Sequence, residues 1–448
     1  MVKSGSGWLL YKAAGVSLPL YAWLAYLVPR FESFQLISGY SVLFGLFMVM
    51  WFYARTAKQV RWLLVFAILL RMVLLFAFPG LSDDIYRFVW DGRLFNQNIH
   101  PFSHIPSYYM DPGSPDVPGI TSSLYYLLNS PNYFTIYPPV AQFFFSVATA
   151  IFPASVHGSA IVIRAFIILA ECGSIWLITR ILFHYKLPAK NALLYALNPL
   201  IILELTGNLH FEAFMIFFLL AGTYFFITGK SRMAALSLAF AIASKLLPLM
   251  LMPLFIRWLH WKKLLIFYAL IAAFTLVLFL PFLHQDLFNG MTASLSLYFQ
   301  RFEFNASIYY LLREIGFYTE GYNTIHILGK YLALAAFLLI MGYALLHNHK
   351  RIRLPEAMLW VLLFYLFLST TVHPWYISTV LVLSIFTRFR FVILWSFLIF
   401  MTYVGYSESG FEEILWLTTT EYVLVFVFML YEIYKHYIKK GQTQNNEQ

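Results

Sequence analysis

The chain has a single cysteine, Cys172, so no disulfide can close within it and no cysteine metal centre can be assembled. Charge is scarce as well. Asp, Glu, Lys and Arg make up 11% of the residues, against about 25% in soluble globular domains. That shortage excludes an ordinary water-soluble fold, because the polar surface needed to cover a core is missing. No GxGxxG and no P-loop motif occurs, which argues against a nucleotide donor held by a phosphate-cradling soluble domain. Internal repeats, a common mark of transporters, are absent too.

What the chain has in abundance is apolar length. Hydrophobic residues make up 61% of it, in runs of about 20 that match the thickness of a bilayer. The pattern predicts an all-α, polytopic transmembrane bundle with about 12–14 spans, some of them re-entrant or broken. Spans are expected near 8–28, 36–53, 60–78, 160–182, 191–205, 211–229, 264–283, 327–346, 356–371, 376–387, 390–406 and 414–434. The first lacks a cleavage-site pattern and is expected to remain as an anchor. Residues 134–152 and 233–256 are expected to enter and return on one side, the second breaking at Lys245 to Pro248. One integral-membrane domain is expected over 1–440, with a disordered, cytoplasmic tail at 441–448.

The net charge of +10 suggests nucleic acid only until its placement is read. The basic residues form short clusters between apolar runs, such as Arg55/Lys58/Arg61, Arg257/Lys262/Lys263 and Lys350/Arg351/Arg353. Cytoplasmic loops facing anionic lipid have this distribution, so the bilayer and not nucleic acid is the expected partner. With those clusters inside, the loops 79–133 and 284–326 and the turns near 206–210, 372–375 and 407–412 face outwards.

Several chemistry-bearing residues then share the outer face. Asp83 and Asp84 stand at a span's exit, where carboxylates are costly and tend to be functional; one of them is the expected catalytic base, although capping the next helix is the plainer alternative. Arg87 and Asp91 are four apart and suit a structural ion pair as well as substrate contact. Tyr137 precedes two prolines. Asn208, His210 and Glu212 alternate in an apolar run, where they serve either substrate or turn hydrogen bonds. Lys245, at its break, suits a lipid phosphate or simple snorkelling. Arg301 lies among aromatics in QRFEFNASIYY with Asn305, and an arginine there calls for an anion. His373 and Trp375 sit between two apolar runs in TTVHPWYIS. Arg71, Arg164, Glu171 and Glu204 are intramembrane charges expected to pair, in an arrangement the sequence does not reveal. No metal-ligand spacing is present, so no cofactor is expected, with any need for a divalent ion left open.

These residues suit transfer of a sugar from a lipid phosphate to a hydroxyl. A carboxylate acts as general base, cationic groups offset charge on the departing phosphate, and an apolar groove holds the lipid tail. Two other readings compete. A lipid-linked-sugar flippase would spread its charges along a path through the spans. A glycan polymerase or ligase using diphosphate-linked donors would carry a more basic outer loop than 284–326.

The stretches SDDIYRFVWDGRLFNQNIHPF (82–102), IYPPVAQ (136–142), ALNPLIILELTGNLHFEAF (196–214), SKLLPLMLMPLF (244–255), RFEFNASIYYL (301–311) and HPWY (373–376) occur in this order. Together they resemble the multi-span GT-C glycosyltransferases, in particular the polyprenol-phosphate-mannose-dependent mannosyltransferases of bacteria and archaea. The resemblance runs from about residue 60 to 380. It implies a polyprenyl-phosphate mannose donor, a glycan or glycolipid acceptor, inversion at the anomeric carbon, and a bacterial inner-membrane enzyme acting on the extracytoplasmic side. The pattern S-[D/E/S]-D-[I/V]-Y-R favours Asp84 over Asp83 as base, and implies donor-phosphate or substrate contacts for Arg301 and His373. The leading pair of spans, 8–53, is less distinctive and reads as an accessory addition.

Overall fold

A computed structural model of the chain describes residues 7–438; the tail expected at 441–448 lies outside them. Helix forms at every apolar run, as a bilayer demands, because backbone polar groups there must be satisfied within their own segment. From the N-terminus, α1 (Gly7–Leu27) and α2 (Ser33–Tyr53) make a hairpin, and α3 (Ala57–Val73) leads to α4 (Asp84–Asn96). The next loop carries a 3-10 turn at Pro106–Met110 and the short α5 (Ser122–Tyr125), then α6 (Pro139–Ile151) and the long α7 (Val156–His184). A one-turn α8 (Leu193–Ala196) runs into a π-turn at Ile201–Gly207, followed by α9 (Glu212–Ile227) and α10 (Ser231–Ser244).

In the second half come α11 (Phe255–Trp258), α12 (Trp261–Phe279), α13 (Gln285–Arg301), α14 (Ile308–Glu320), α15 (Ile325–Leu346) and α16 (Leu354–Leu368). The chain closes with α17 (Ile377–Ser384), α18 (Phe391–Leu398) and α19 (Leu415–Ile433), the last two separated by a small hairpin at 406–411. The fold is therefore an all-α membrane bundle. It departs from a row of full spans in one respect. Among the described residues, five helices, α2, α7, α12, α15 and α19, are long and apolar enough to cross a bilayer, and the π-turn with α9, bent by 109°, makes a sixth if it is one span. The other apolar runs are shorter helices or are interrupted by 3-10 turns. The 284–326 stretch, expected as a loop, is mostly the two helices α13 and α14.

Prolines set the breaks. Lys245 is extended at the end of α10, and Pro248 starts the 3-10 turn Leu247–Leu254. Pro138 is extended and Pro139 takes the first turn of α6, where a missing N–H removes no hydrogen bond. Gly92 lets α4 lie close against α6: a Cβ there would lie 2.4 Å from the Phe145 carbonyl oxygen.

The intramembrane charges resolve into two devices. Arg71 on α3 donates through Nε and Nη2 to Glu171 on α7, at 3.1 and 2.8 Å, while Tyr195 donates to the other Glu171 oxygen at 2.5 Å. Among the described residues, Arg164 pairs with no carboxylate. It donates to the carbonyls of Leu75 and Ala77 beyond α3 and of Thr206 and Gly207 in the π-turn. One guanidinium thus satisfies two frayed helix ends and holds them together.

The N-terminal hairpin is not an addition to this bundle. Tyr40 donates to the Ser396 carbonyl at 2.5 Å and stacks on Phe400 at 3.8 Å, and Tyr26 donates to the Val73 carbonyl at 2.8 Å. Its packing against α3 and α18 corrects the accessory reading of 8–53.

Candidate active site

The two neighbouring aspartates have different surroundings. Asp83 stands at the N-cap of α4 but makes no capping bond; it forms an ion pair with Arg30, from the α1–α2 turn, at 2.7 Å, with both side chains about one-third exposed (37% and 31%). Asp84 opens α4, where the helix dipole favours a carboxylate. Its Oδ1 accepts from Asn129 at 2.9 Å, and the Tyr137 hydroxyl is a further hydrogen-bond partner. The side chain is 19% exposed. Burial pushes the Asp84 carboxyl above the usual carboxylate range, against the opposing pull of Asn129, Tyr137 and the Lys245 charge.

Opposite Asp84 lies the break between the π-turn and α9. Leu209 there has φ +64°, a left-handed conformation that a branched side chain seldom takes. The kink brings His210 Nδ1 to 3.9 Å from Asp84 Oδ2 and His210 Nε2 to 3.3 Å from Glu204 Oε2. The imidazole stacks on Trp375 with ring centroids 3.8 Å apart, and His373 stacks on the same indole at 4.4 Å. Backbone bonds between Phe304 and residues 370–372 hold this connection in place. Lys245 contacts the Glu212 carboxylate and lies 4.6 Å over the Tyr376 ring. Six separate stretches of chain thus converge on a base candidate, two imidazoles and a partly exposed ammonium.

The other expected site residues have different employment. Arg87 and Asp91 bond to each other at 2.9 Å; Arg87 also donates to the Ser130 and Tyr133 carbonyls, and Gln142 donates to Asp91 at 3.0 Å. These bonds secure α4 to α6 and to the loop that carries Asn129. Asn208 accepts from the Leu81 N–H and donates to the Leu203 carbonyl. Asn305 is buried with φ +43° and tied to Glu413, Glu421 and Tyr422 of the closing segment. Arg301 is exposed at the end of α13. Tyr376 belongs to the HPWY stretch that the sequence singles out, whereas nothing in a proline-rich loop points to Asn129.

Beside the site, a small open cleft runs between the N-terminal hairpin, the end of α3 and the π-turn. Leu24, Val28, Leu36, Leu74 and Phe78 line it, together with Asn208. Among the described residues, no group of three or more His, Cys, Asp or Glu side chains is placed to hold a metal ion.

Fold and site together define an all-helical, multi-pass membrane protein with a half-buried carboxylate faced by lysine and histidine. A family model described as the alpha-(1->6)-mannopyranosyltransferase N-terminal domain, MptA_B family, matches residues 3–262. The chain belongs to that family and is a mannosyltransferase-type glycosyltransferase. The match spans Asp84, His210 and Lys245 but stops short of His373 and Trp375. No curated protein matches the chain.

Proposed function

We propose that the enzyme transfers mannose from a polyprenyl-phosphate donor to a hydroxyl of a glycan or glycolipid acceptor, on the extracytoplasmic side of a bacterial plasma membrane. Asp84 is the general base. It takes the proton of the acceptor hydroxyl as that oxygen bonds to the anomeric carbon, and the bond from that carbon to the phosphate oxygen breaks with its electron pair. Displacement from the opposite face inverts the centre. Lys245 and His373 face the departing phosphate, and the cleft beside Asn208 takes the first prenyl units. The outward face is supported by the basic clusters at the opposite helix ends.

The observation that carries this reading is the contrast between the two aspartates: Arg30 takes Asp83, whereas Asp84 keeps Oδ2 towards the site. The test is transfer from polyprenyl-phosphate mannose to a panel of simple mannosides by wild type, Asp84→Asn and Asp83→Asn. Loss of a general base lowers the rate by about 10²–10⁴-fold, and Asp84→Asn is expected in that range, with Asp83→Asn close to wild type. Full activity of Asp84→Asn would remove it as the base.

A further inference from the structure

Among the described residues, Glu204 is a carboxylate in an apolar run with no lysine or arginine paired to it. Among the described residues, Arg71 is taken by Glu171, Lys245 by Glu212, and Arg164 by four carbonyls. Its Oε1 accepts from the Tyr403 hydroxyl at 2.8 Å. Its Oε2 faces His210 Nε2 at 3.3 Å, and both of these atoms are buried without a hydrogen bond. Buried polar atoms are rarely left so, and one proton shared between this pair satisfies both. The same imidazole turns its other nitrogen to Asp84. Strained backbone tends to persist where function requires it, and Leu209 at φ +64° is the strained residue that aims His210.

We infer that His210 and Glu204 are positioning residues that reset Asp84 after each transfer. This rests on Asp84 being the base. With Nε2–H directed at Glu204, neutral His210 presents the Nδ1 lone pair to Asp84 Oδ2. The acceptor's proton, first taken by Asp84, passes to Nδ1; the Asp84 O–H bond breaks and the carboxylate is restored. The imidazolium is held by the Glu204 carboxylate and loses its proton to water as product leaves through the exposed side of Asp84. Burial opposes positive charge on His210, and Lys245, from the end of α10, and His373, from the 369–376 connection, add to it. Glu204 is the carboxyl that faces the same imidazole, with Tyr403, Asn208 and Glu212 as the groups that act on it. The 3.9 Å gap to Asp84 closes with a small side-chain rotation, as hydrogen bonds of unliganded active sites commonly do.

The test separates the first turnover from later ones, because a reset step acts only after transfer. Wild type, Glu204→Gln and Asp84→Asn are mixed rapidly with excess polyprenyl-phosphate mannose and mannoside acceptor, and thermal unfolding of each is recorded alongside. Glu204→Gln is expected to complete its first turnover at the wild-type rate. Its steady state then runs about tenfold slower or more, donor KM stays within about twofold, and the deficit narrows as pH rises and hydroxide deprotonates Asp84 directly. Equal losses in both phases, a deficit independent of pH, or wild-type behaviour throughout would overturn the inference. If Glu204→Gln melts early, Tyr403→Phe carries the test, since it removes only the hydroxyl on Glu204; a smaller burst of the same pH dependence is expected. Activity in Asp84→Asn would sink the base itself, whereas an inactive Asp84→Asn beside an unaltered Glu204→Gln would sink only the relay.

Discussion

Asp83 and Asp84 are one bond apart in sequence and differ in everything their surroundings supply. Asp83 pairs with Arg30 near water, and such exposed bridges contribute about 0–1 kcal/mol. Asp84 is raised above the ordinary carboxylate range by burial, which ties its function to stability. A folded-state pKa above the unfolded value favours the protonated form, so that contribution is complete below the ordinary value of 3.8 and is lost as pH rises through the folded value. At neutral pH an ionised Asp84 therefore works against folding. Asp84→Asn keeps an oxygen for Asn129 and carries no charge; it is expected to melt at or above the wild-type temperature near pH 7, an advantage that disappears below about pH 4. Thermal unfolding of the two proteins across pH checks it, and a lower melting temperature at pH 7 would contradict the burial argument. Activity in wild type should fall on the acid side at a pH above the usual aspartate value. That a carboxylate here was a candidate base was legible from its place at a span's end. The different surroundings of the two were not, because Arg30, which pairs with Asp83, lies some fifty residues away in the chain.

At the scale of elements, buried guanidinium groups replace the hydrophobic contrast that lipid cannot provide between helices. Arg71 joins α3 to α7 through Glu171 with both side chains fully buried. Removing one partner of such a pair costs about 3–5 kcal/mol, while replacing both with apolar residues is often neutral. Arg71→Leu is accordingly expected to unfold at markedly lower denaturant, and Arg71→Leu/Glu171→Leu to recover most of the loss. Chemical denaturation in detergent measures both; a double variant as unstable as the single one would show that the Arg71 bonds to the Ala67 and Ala196 carbonyls matter more than the ion pair. Arg164 does related work where α3 and the π-turn end, and so places Asp84 opposite His210. The sequence showed four intramembrane charges without their partners, since partners a hundred residues apart meet only through helix packing.

At the scale of the molecule, the N-terminal hairpin is part of the enzyme. It supplies Arg30 to Asp83, lays that guanidinium 5.3 Å over Tyr406, packs Tyr40 against Phe400, and forms one wall of the apolar cleft. The family match likewise begins at residue 3. Removing residues 1–54 is expected to leave a protein that elutes as aggregate and lacks a cooperative melting transition. Arg30→Ala, which loses a partly exposed bridge, should elute and melt much like wild type. Size-exclusion chromatography and thermal unfolding of the two distinguish these outcomes; a monodisperse, active truncation would restore the accessory reading.

Composition and periodicity by themselves determined the membrane class, the helical architecture, the proline breaks at Pro138 and Pro248, and the set of stretches that converge on the site. They do so because a bilayer leaves the backbone few choices, and because polar residues in apolar runs stand out without any alignment. Tertiary structure decided the rest: that Arg301 is exposed, that Arg87, Asp91, Asn208 and Asn305 are bonded within the scaffold, and that Asn129, Tyr137 and His210 surround Asp84. A polar side chain's role depends on which partner reaches it first, and those partners come from helices distant in sequence.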